Sequence, residues 1–174
     1  MASFAQTWNA DKAHSQLTWN ILHMGINNLA GSFQKFSASI TSSQDDWSDA
    51  SVQLTADVRS INTGIDARDN HLKSAAFFDA ANDTSLSFKS TSWKHTDGKN
   101  YVVTGDLTLH GVTKPVTLNV TFNGKMTDQK GTPHVGFHIA GVIKRTDFNI
   151  ATNFPASALS DEVNLDANFE FVKG

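Results

Sequence analysis

Residues 105–122 read GDLTLHGVTKPVTLNVTF, and their side chains alternate along the chain. Leu107, Leu109, Val116, Leu118, Val120 and Phe122 are apolar, and Asp106, Thr108, His110, Thr117, Asn119 and Thr121 stand between them. That is the period-two pattern of strands with one dry face and one wet face. Gly111 offers backbone freedom where a tight connection needs it, and Pro115, which lacks an N–H, suits the start of a strand. The stretch predicts a β-hairpin.

The same alternation continues on both sides. Towards the N-terminus, Ser15, Leu17, Trp19, Ile21 and His23 share one face of a strand read over residues 14–23. Residues 32–40 return antiparallel to it, and the break in alternation between Phe33 and Phe36 predicts a bulge. After a polar stretch over 41–49, Val52, Leu54, Ala56, Val58 and Ser60 make a third face. Residues 67–78 change period: Leu72, Ala75, Ala76 and Phe78 or Phe77 fall at helical spacing, with Asp66 as the expected N-cap. Strands resume at Leu86, Phe88 and Ser90, turn at Asp97-Gly98, and continue through Tyr101 and Val103 into the hairpin. Asn123-Gly124 is expected to end it. Val135, Phe137, Ile139, Gly141 and Ile143 form the next strand, and Val163, Leu165, Ala167, Phe169 and Phe171 the last. About eight evenly spaced strands with one short helix, in one domain over residues 1–174, predict an antiparallel barrel or a two-sheet sandwich.

Composition narrows the function classes. A formal charge of -3 with intermixed signs leaves no basic footprint for nucleic acid or anionic lipid. The absence of cysteine excludes disulfides and thiolate metal sites. No run approaches the roughly 20 apolar residues of a membrane span. The N-terminus shows no export signal, so the chain as written reads as cytoplasmic; a periplasmic location is the alternative if Ser3-Phe4-Ala5 is the tail of a small-residue cleavage site at the end of a leader. Twelve Phe and four Trp against a single Tyr bring large apolar area with little phenolic polarity, which suits a thick core or a greasy cavity.

Seven histidines invite a catalytic or metal reading. His134 and His138 have a spacing that would unite two ligands on a helix, but on a strand four steps separate them by about 13 Å. His14 and His23 fall on opposite faces of the strand read over 14–23, as do the neighbours His14 and Ser15, so no nucleophile–base pair forms there. His71 sits on the expected helix as a rim or capping residue, and His95 and His110 fall near exposed turns. No nucleophile elbow, zincin, phosphate-loop or dinucleotide motif is present. Neither an enzyme, a metal site nor a cofactor is predicted.

Several motifs together resemble the YceI-like family. They are His14-Ser15, His23, Phe33, Ser60-Ile61-Asn62-Thr63-Gly64, Arg68-Asp69, His71-Leu72-Lys73-Ser74, Phe77-Phe78-Asp79, Phe88-Lys89-Ser90, the stretch from 105 to 118, Arg145-Thr146-Asp147-Phe148 and Asp161-Glu162-Val163. They stand in the family's order from about Trp8 to Phe171. Two positions depart from it: Asp83-Thr84-Ser85 replaces a frequent aromatic-Pro pair, which loosens the expected rim loop. Asn149 replaces a frequent Gly, and Asn tolerates the left-handed backbone such a turn needs. The resemblance implies an all-β, eight-stranded, antiparallel, lipocalin-like barrel with a short helix between the third and fourth strands. It further implies a non-catalytic protein that carries or sequesters a polyisoprenoid, an isoprenoid quinone or a similar long-tailed amphiphile. A hydrolase or isomerase acting on such a molecule, or a dry structural barrel, are the alternatives, and a homodimer is left open.

By pattern alone, the mixture of large and small inward residues fits either a packed, tapering barrel or a hollow one. The resemblance selects the hollow. On that reading the lumen is lined by Leu17, Trp19, Ile21, Leu54, Ala56, Val58, Phe88, Gly105, Leu107, Leu118, Val120, Phe122, Phe137, Ile139, Gly141 and Phe169. Ser15, His23, Ser60, Arg68, Asp69 and Arg145 mark its polar end. Three of these have local alternatives: Arg68 and Asp69 as a capping and salt-bridge set, and Arg145 with Asp147 as a barrel closure. A ten-carbon tail gains roughly 8 kcal/mol on burial. Association costs about 4 kcal/mol at the least, so only a longer tail is held well.

Overall fold

The computed structural model describes residues 4–174. Met1, Ala2 and Ser3, part of the stretch read above for a leader, lie outside the described residues. Eleven strand segments form one antiparallel sheet: β1 (Gln6–Ala10), β2 (Gln16–His23), β3 (Asn27–Phe33), β4 (Phe36–Ser42), β5 (Ser51–Asp57), β6 (Ile61–Asn62), β7 (Ser85–Asp97), β8 (Asn100–Leu109), β9 (Val112–Thr127), β10 (Pro133–Lys144) and β11 (Leu159–Lys173). The helix α1 (Asp66–Leu72) separates β6 from β7.

Three ribbons of the ring are each interrupted once. β1 and β2 pair in succession along the free edge of β11, β3 and β4 pair with β2 and β1, and β5 and β6 pair with β4 and β3. Merging those three pairs leaves eight ribbons, and the β1–β11 pairing closes them into a barrel; the short β6 and the Asn27–Gly31 part of β3 lack a ladder partner on one side among the described residues. The helix therefore lies between the third and fourth ribbons.

Each interruption has a local cause. Gln34 and Lys35 bulge out between β3 and β4, where the amide of Gln34 donates to Ser60 and the carbonyl of Lys35 accepts from Asp57. The expected bulge is there. Residues 11–15 leave the ladder between β1 and β2, so the strand read over 14–23 begins only at Gln16. His14 consequently stands on an excursion at 2.7 Å from Asp11, and the opposite-face relation expected between His14 and His23 does not apply. A 3-10 turn at Val58–Ser60 divides β5 from β6.

Other boundaries shift. The N-cap of α1 is Ile65, which offers no capping side chain; Asp66 is the first helical residue. Asn123-Gly124 does not end β9. It forms a bulge, because Gly136 pairs with Gly124 and Phe137 with Phe122, leaving Asn123 unpaired. The hairpin connection is the pair His110-Gly111, both at positive φ, as the twist of a two-residue turn demands. Asn149 takes the left-handed conformation its side chain permits.

The register assigns every connection to one of two ends. At one end lie residues 24–26, residues 63–84 with α1, His110-Gly111, and residues 145–158. At the other lie residues 43–50, 98–99 and 128–132. The second end is filled by rings: Trp47 sits with its centroid 5.6 Å from Trp8, 5.2 Å from Phe137 and 6.1 Å from Phe122. The loop that delivers Trp47 is tied down by Asp49, whose carboxylate accepts from the Ser42 and Ser43 hydroxyls, and by the Tyr101 hydroxyl, which donates to the Asp46 carbonyl.

Candidate functional site

The barrel is hollow above the Trp47 plug. A cavity of about 670 Å³ runs up to the helix end and is walled almost wholly by apolar side chains. Leu17, Trp19, Ile21, Leu54, Phe88, Leu107, Leu118, Val120, Phe137, Ile139 and Phe169, all expected in the lumen, line it. Trp93, Phe33, Leu86 and Val103, which sequence reasoning did not place there, complete much of the wall. The indole N–H groups of Trp19 and Trp93 have no acceptor among the described residues and are covered by neighbouring atoms, so they present no donor to the open space.

Five expected lumen residues do not line the cavity. Gly105 and Gly141 face inward, but a Cβ at either position would overlap the Phe88 ring or the Leu118 side chain. Their smallness makes room for a neighbour rather than for a ligand, and Gly31 does the same beneath Trp19. Phe122 is below the cavity, against Trp47 and Phe137. Ala56 and Val58 are buried where the third ribbon is pinched by the 3-10 turn.

The polar end also divides. His23, Arg68 and Arg145 line the cavity together with Thr63 and His71. Ser15 does not: it lies just before β2, which His23 ends, so at about 3.3 Å per residue the two stand roughly 26 Å apart along the ribbon. Its hydroxyl bridges the backbone of Glu170, donating to the carbonyl and accepting from the amide. Ser60 stays in the 3-10 turn, donating to the Asp57 carbonyl and accepting from the Lys35 amide. Asp69 is buried and accepts from both the amide and the hydroxyl of Thr63.

Arg68 completes that unit from the other side. Its Nε donates to the Thr63 hydroxyl at 2.8 Å and its Nη2 to the Thr63 carbonyl at 2.9 Å. Arg68 and Asp69 thus converge on Thr63 instead of capping the helix as a pair, and Nη1 of Arg68 makes no hydrogen bond within the described residues. His71 rests its ring against Phe77, centroids 4.9 Å apart.

Arg145 is almost fully buried, and its donors are spent on backbone carbonyls: those of Ser160, Ile150, Ala151, Phe154 and Leu159. Asp147, its expected partner, pairs with Lys114 at 3.8 Å instead. Arg145 is the internal clamp that shapes residues 149–158 over the mouth.

His23 and His71 line the cavity and are also exposed to solvent, so the mouth opens on their side. The turn at His110-Gly111 is fastened down by the His110 Nδ1 bond to the Phe148 carbonyl at 3.0 Å, and Gly111 packs against Asp83; none of these residues lines the cavity. His110 is therefore half-buried, not the exposed turn residue expected. On the opposite side His23, Thr63, Arg68 and His71 do line it, so the polar groups gather beside the β2–β3 turn and the start of α1.

Among the described residues, two clusters outside the cavity offer groups of the kind that ligate metals. Asp11, His14 and Glu170 bring three such atoms within 4.8 Å of one another, as do Asp79, Asp83 and His110. Spacing along single strands did not reveal them, because their members come from different segments.

Comparison with known proteins completes the description. The family model of the YceI-like domain matches residues 8–171. Protein YceI from Escherichia coli strain UMN026 is 38% identical over 175 residues, covering 99% of this chain and 90% of that protein. The crystal structure of Burkholderia cenocepacia BcnA superposes with a TM-score of 0.85 at 27% identity, over 92% of this chain and 98% of that one. A polyisoprenoid-binding domain from Saccharophagus degradans, implicated in plant cell wall breakdown, shares the fold with a TM-score of 0.69 at 18% identity, over 98% of this chain and all of that one.

Proposed function

This chain belongs to the YceI-like family, and from that premise we propose that its barrel carries or sequesters a polyisoprenoid, an isoprenoid quinone or a similar long-tailed amphiphile without altering it chemically. The observation that carries the reading is the apolar cavity of about 670 Å³, closed at the Trp47 end and open at the other. At the roughly 30 Å³ a water-sized group occupies, it holds on the order of 20 methylene-sized groups. Burying 20 carbons gains about 16 kcal/mol gross, ample against an association cost that starts near 4 kcal/mol. The shared fold with a polyisoprenoid-binding domain supports the same reading.

The head group sits where polar side chains reach the cavity. Arg68 has one nitrogen to spare there, with His23 and His71 beside it, so a head group rich in hydrogen-bond acceptors is favoured. Binding is favoured over chemistry because the Thr63 hydroxyl is already committed, donating to Asp69 and accepting from Arg68.

Organic extraction of the purified protein followed by mass spectrometry tests this, with a stoichiometric long-tailed lipid expected. Displacement of a fluorescent lipid by a series of tails gives a second reading: affinity rises with length to about 20 carbons and then levels off. A flat dependence on length overturns burial of the tail in the lumen.

A further inference from the structure

Among the described residues, the large apolar side chains most exposed to solvent include Met24, Ile26 and Ile65, at 60%, 84% and 53%. All three belong to the mouth, on its open side. Met24 and Ile26 flank Gly25 in the β2–β3 turn, where the Ile26 amide donates to the His23 carbonyl. Ile65 precedes α1, two residues beyond Thr63. The patch is continuous with the cavity wall: His23 and Thr63 line the cavity, and the Met24 amide donates at 2.9 Å to the carbonyl of Ala158, another lining residue.

The turn chemistry runs against the choice of residues. Met24 has φ 53° and Gly25 φ 72°, the two left-handed positions at which a hairpin favours Asn-Gly or Asp-Gly. Methionine accepts steric strain in that conformation and leaves a long apolar side chain in water, where a polar residue would relieve both. The side chain is 60% exposed and so lacks cover over most of its surface within the described residues.

Resting on the carrier reading above, we propose that Met24, Ile26 and Ile65 insert into the interface of a lipid bilayer, so that the open side of the mouth faces the membrane and a tail passes between bilayer and lumen without crossing water. The occupant is an uncharged bilayer surface. The connections at this end and the strand ends beside them carry Asp66, Asp79, Asp83, Asp147, Asp161 and Glu162 against Arg68, Lys73, Lys114 and Lys144, an acidic excess, and Lys114 is drawn to Asp147. An anionic membrane is therefore repelled at low salt, and so is the same face of a second copy.

The test is flotation of the full chain with phosphatidylcholine vesicles. The wild-type protein is expected to float, and the double variant Met24→Asn, Ile26→Ser to lose about tenfold in the floated fraction. Asn relaxes the left-handed turn, so this variant keeps its fold. Ile65→Ser is expected to weaken flotation by itself, whereas Met126→Ser, a 69% exposed residue at the closed end, changes nothing. Adding phosphatidylglycerol at low salt is expected to reduce binding. Capture of a fluorescent amphiphile in vesicle-free solution stays intact in the double variant, which separates failure of docking from failure of the carrier reading. Equal flotation of wild type and double variant overturns the proposal. So does a loss in Met126→Ser as large as in the double variant, or sedimentation showing that the patch pairs two copies and leaves vesicles unbound.

Discussion

Phe77 and Phe154 meet with ring centroids 5.2 Å apart and planes tilted by 45°. Phe77 follows α1, between the third and fourth ribbons; Phe154 lies between the seventh and eighth. In a ring of eight these two connections are diametrically opposed, so the contact is a bridge across the mouth. It divides the mouth into the half sealed by His110 and the half that stays open beside His23.

Such a ring contact contributes about 0.5–1.5 kcal/mol beyond its buried area. Phe154→Ala is expected to speed release of a bound fluorescent amphiphile by up to about tenfold, with capture still intact. Stopped-flow dilution measures the rate. A release rate equal to wild type means that the bridge does not obstruct the ligand's path.

Trp47 closes the other end. Trp47→Ala removes a buried indole from between Trp8, Phe122 and Phe137, and truncations of this kind cost about 3–5 kcal/mol. The denaturant midpoint is expected to fall accordingly, and the cavity to extend downward. Tail-length selectivity then shifts towards longer chains in displacement assays. If the optimum length does not move, Trp47 is not the floor of the lumen.

Gly141→Ala places a methyl group where the Leu118 side chain lies, and Gly105→Ala places one where the Phe88 ring lies. The first forces Leu118 into the cavity; the second forces Phe88 inward and, because the methyl also meets the Lys89 carbonyl, pushes the β7 backbone aside. We expect a stability cost of about 1–3 kcal/mol and weaker binding of the longest tails with little change for short ones. Calorimetry with two tail lengths checks this, and a uniform loss at both lengths contradicts it.

Arg145→Lys retains the positive charge but cannot reach the five carbonyls that the guanidinium serves. Hydrogen bonds to a charged group are worth about 1.5–3 kcal/mol each when a buried partner is left unmade. A marked drop in urea midpoint is expected, accompanied by proteolytic cleavage within residues 149–158. A variant as resistant as wild type means that Arg145 is not the clamp of that segment.

His134 is held above its ordinary pKa, chiefly by its bond to Glu170, with Asp128 adding to it. A raised folded value means that the stabilisation is complete below the unfolded value of about 6.5 and fades as pH climbs through the folded one. His134→Gln is therefore expected to lower the melting temperature at about pH 6 and to converge with wild type at about pH 9. A pH-independent difference points to packing instead. Asp49 shows the opposite sign: the Ser42 and Ser43 hydroxyls hold it at about 2, so its support of the Trp47 loop is present above the ordinary carboxylate value and lost as pH falls towards about 2.

Local features were legible where the cause was local. The alternation over 105–122 marks the hairpin, the skipped beat between Phe33 and Phe36 marks the bulge at Gln34-Lys35, and the change of period over 67–78 marks α1, although the helix stops at Leu72 and residues 73–78 continue as turns. Trp47 escaped notice because its stretch is polar on every side and has no period. A lone tryptophan among Ser and Asp is the signal that it has somewhere to go. Ser15 shares a face with His23 but not a height, because seven residues of strand stand between them.

What the sequence determined by itself is the succession of dry and wet faces and the points at which the chain turns, because period and turn chemistry are written in neighbouring residues. Only the tertiary structure decided which small residues leave space and which merely yield it. Gly105 gives its room to Phe88 and Gly141 gives its room to Leu118, each through a side chain on an adjoining strand. The same holds for the bridge between Phe77 and Phe154, for the clamp around Arg145, and for the side on which the mouth opens. These depend on register around a closed ring, where residues far apart in the chain come to one height.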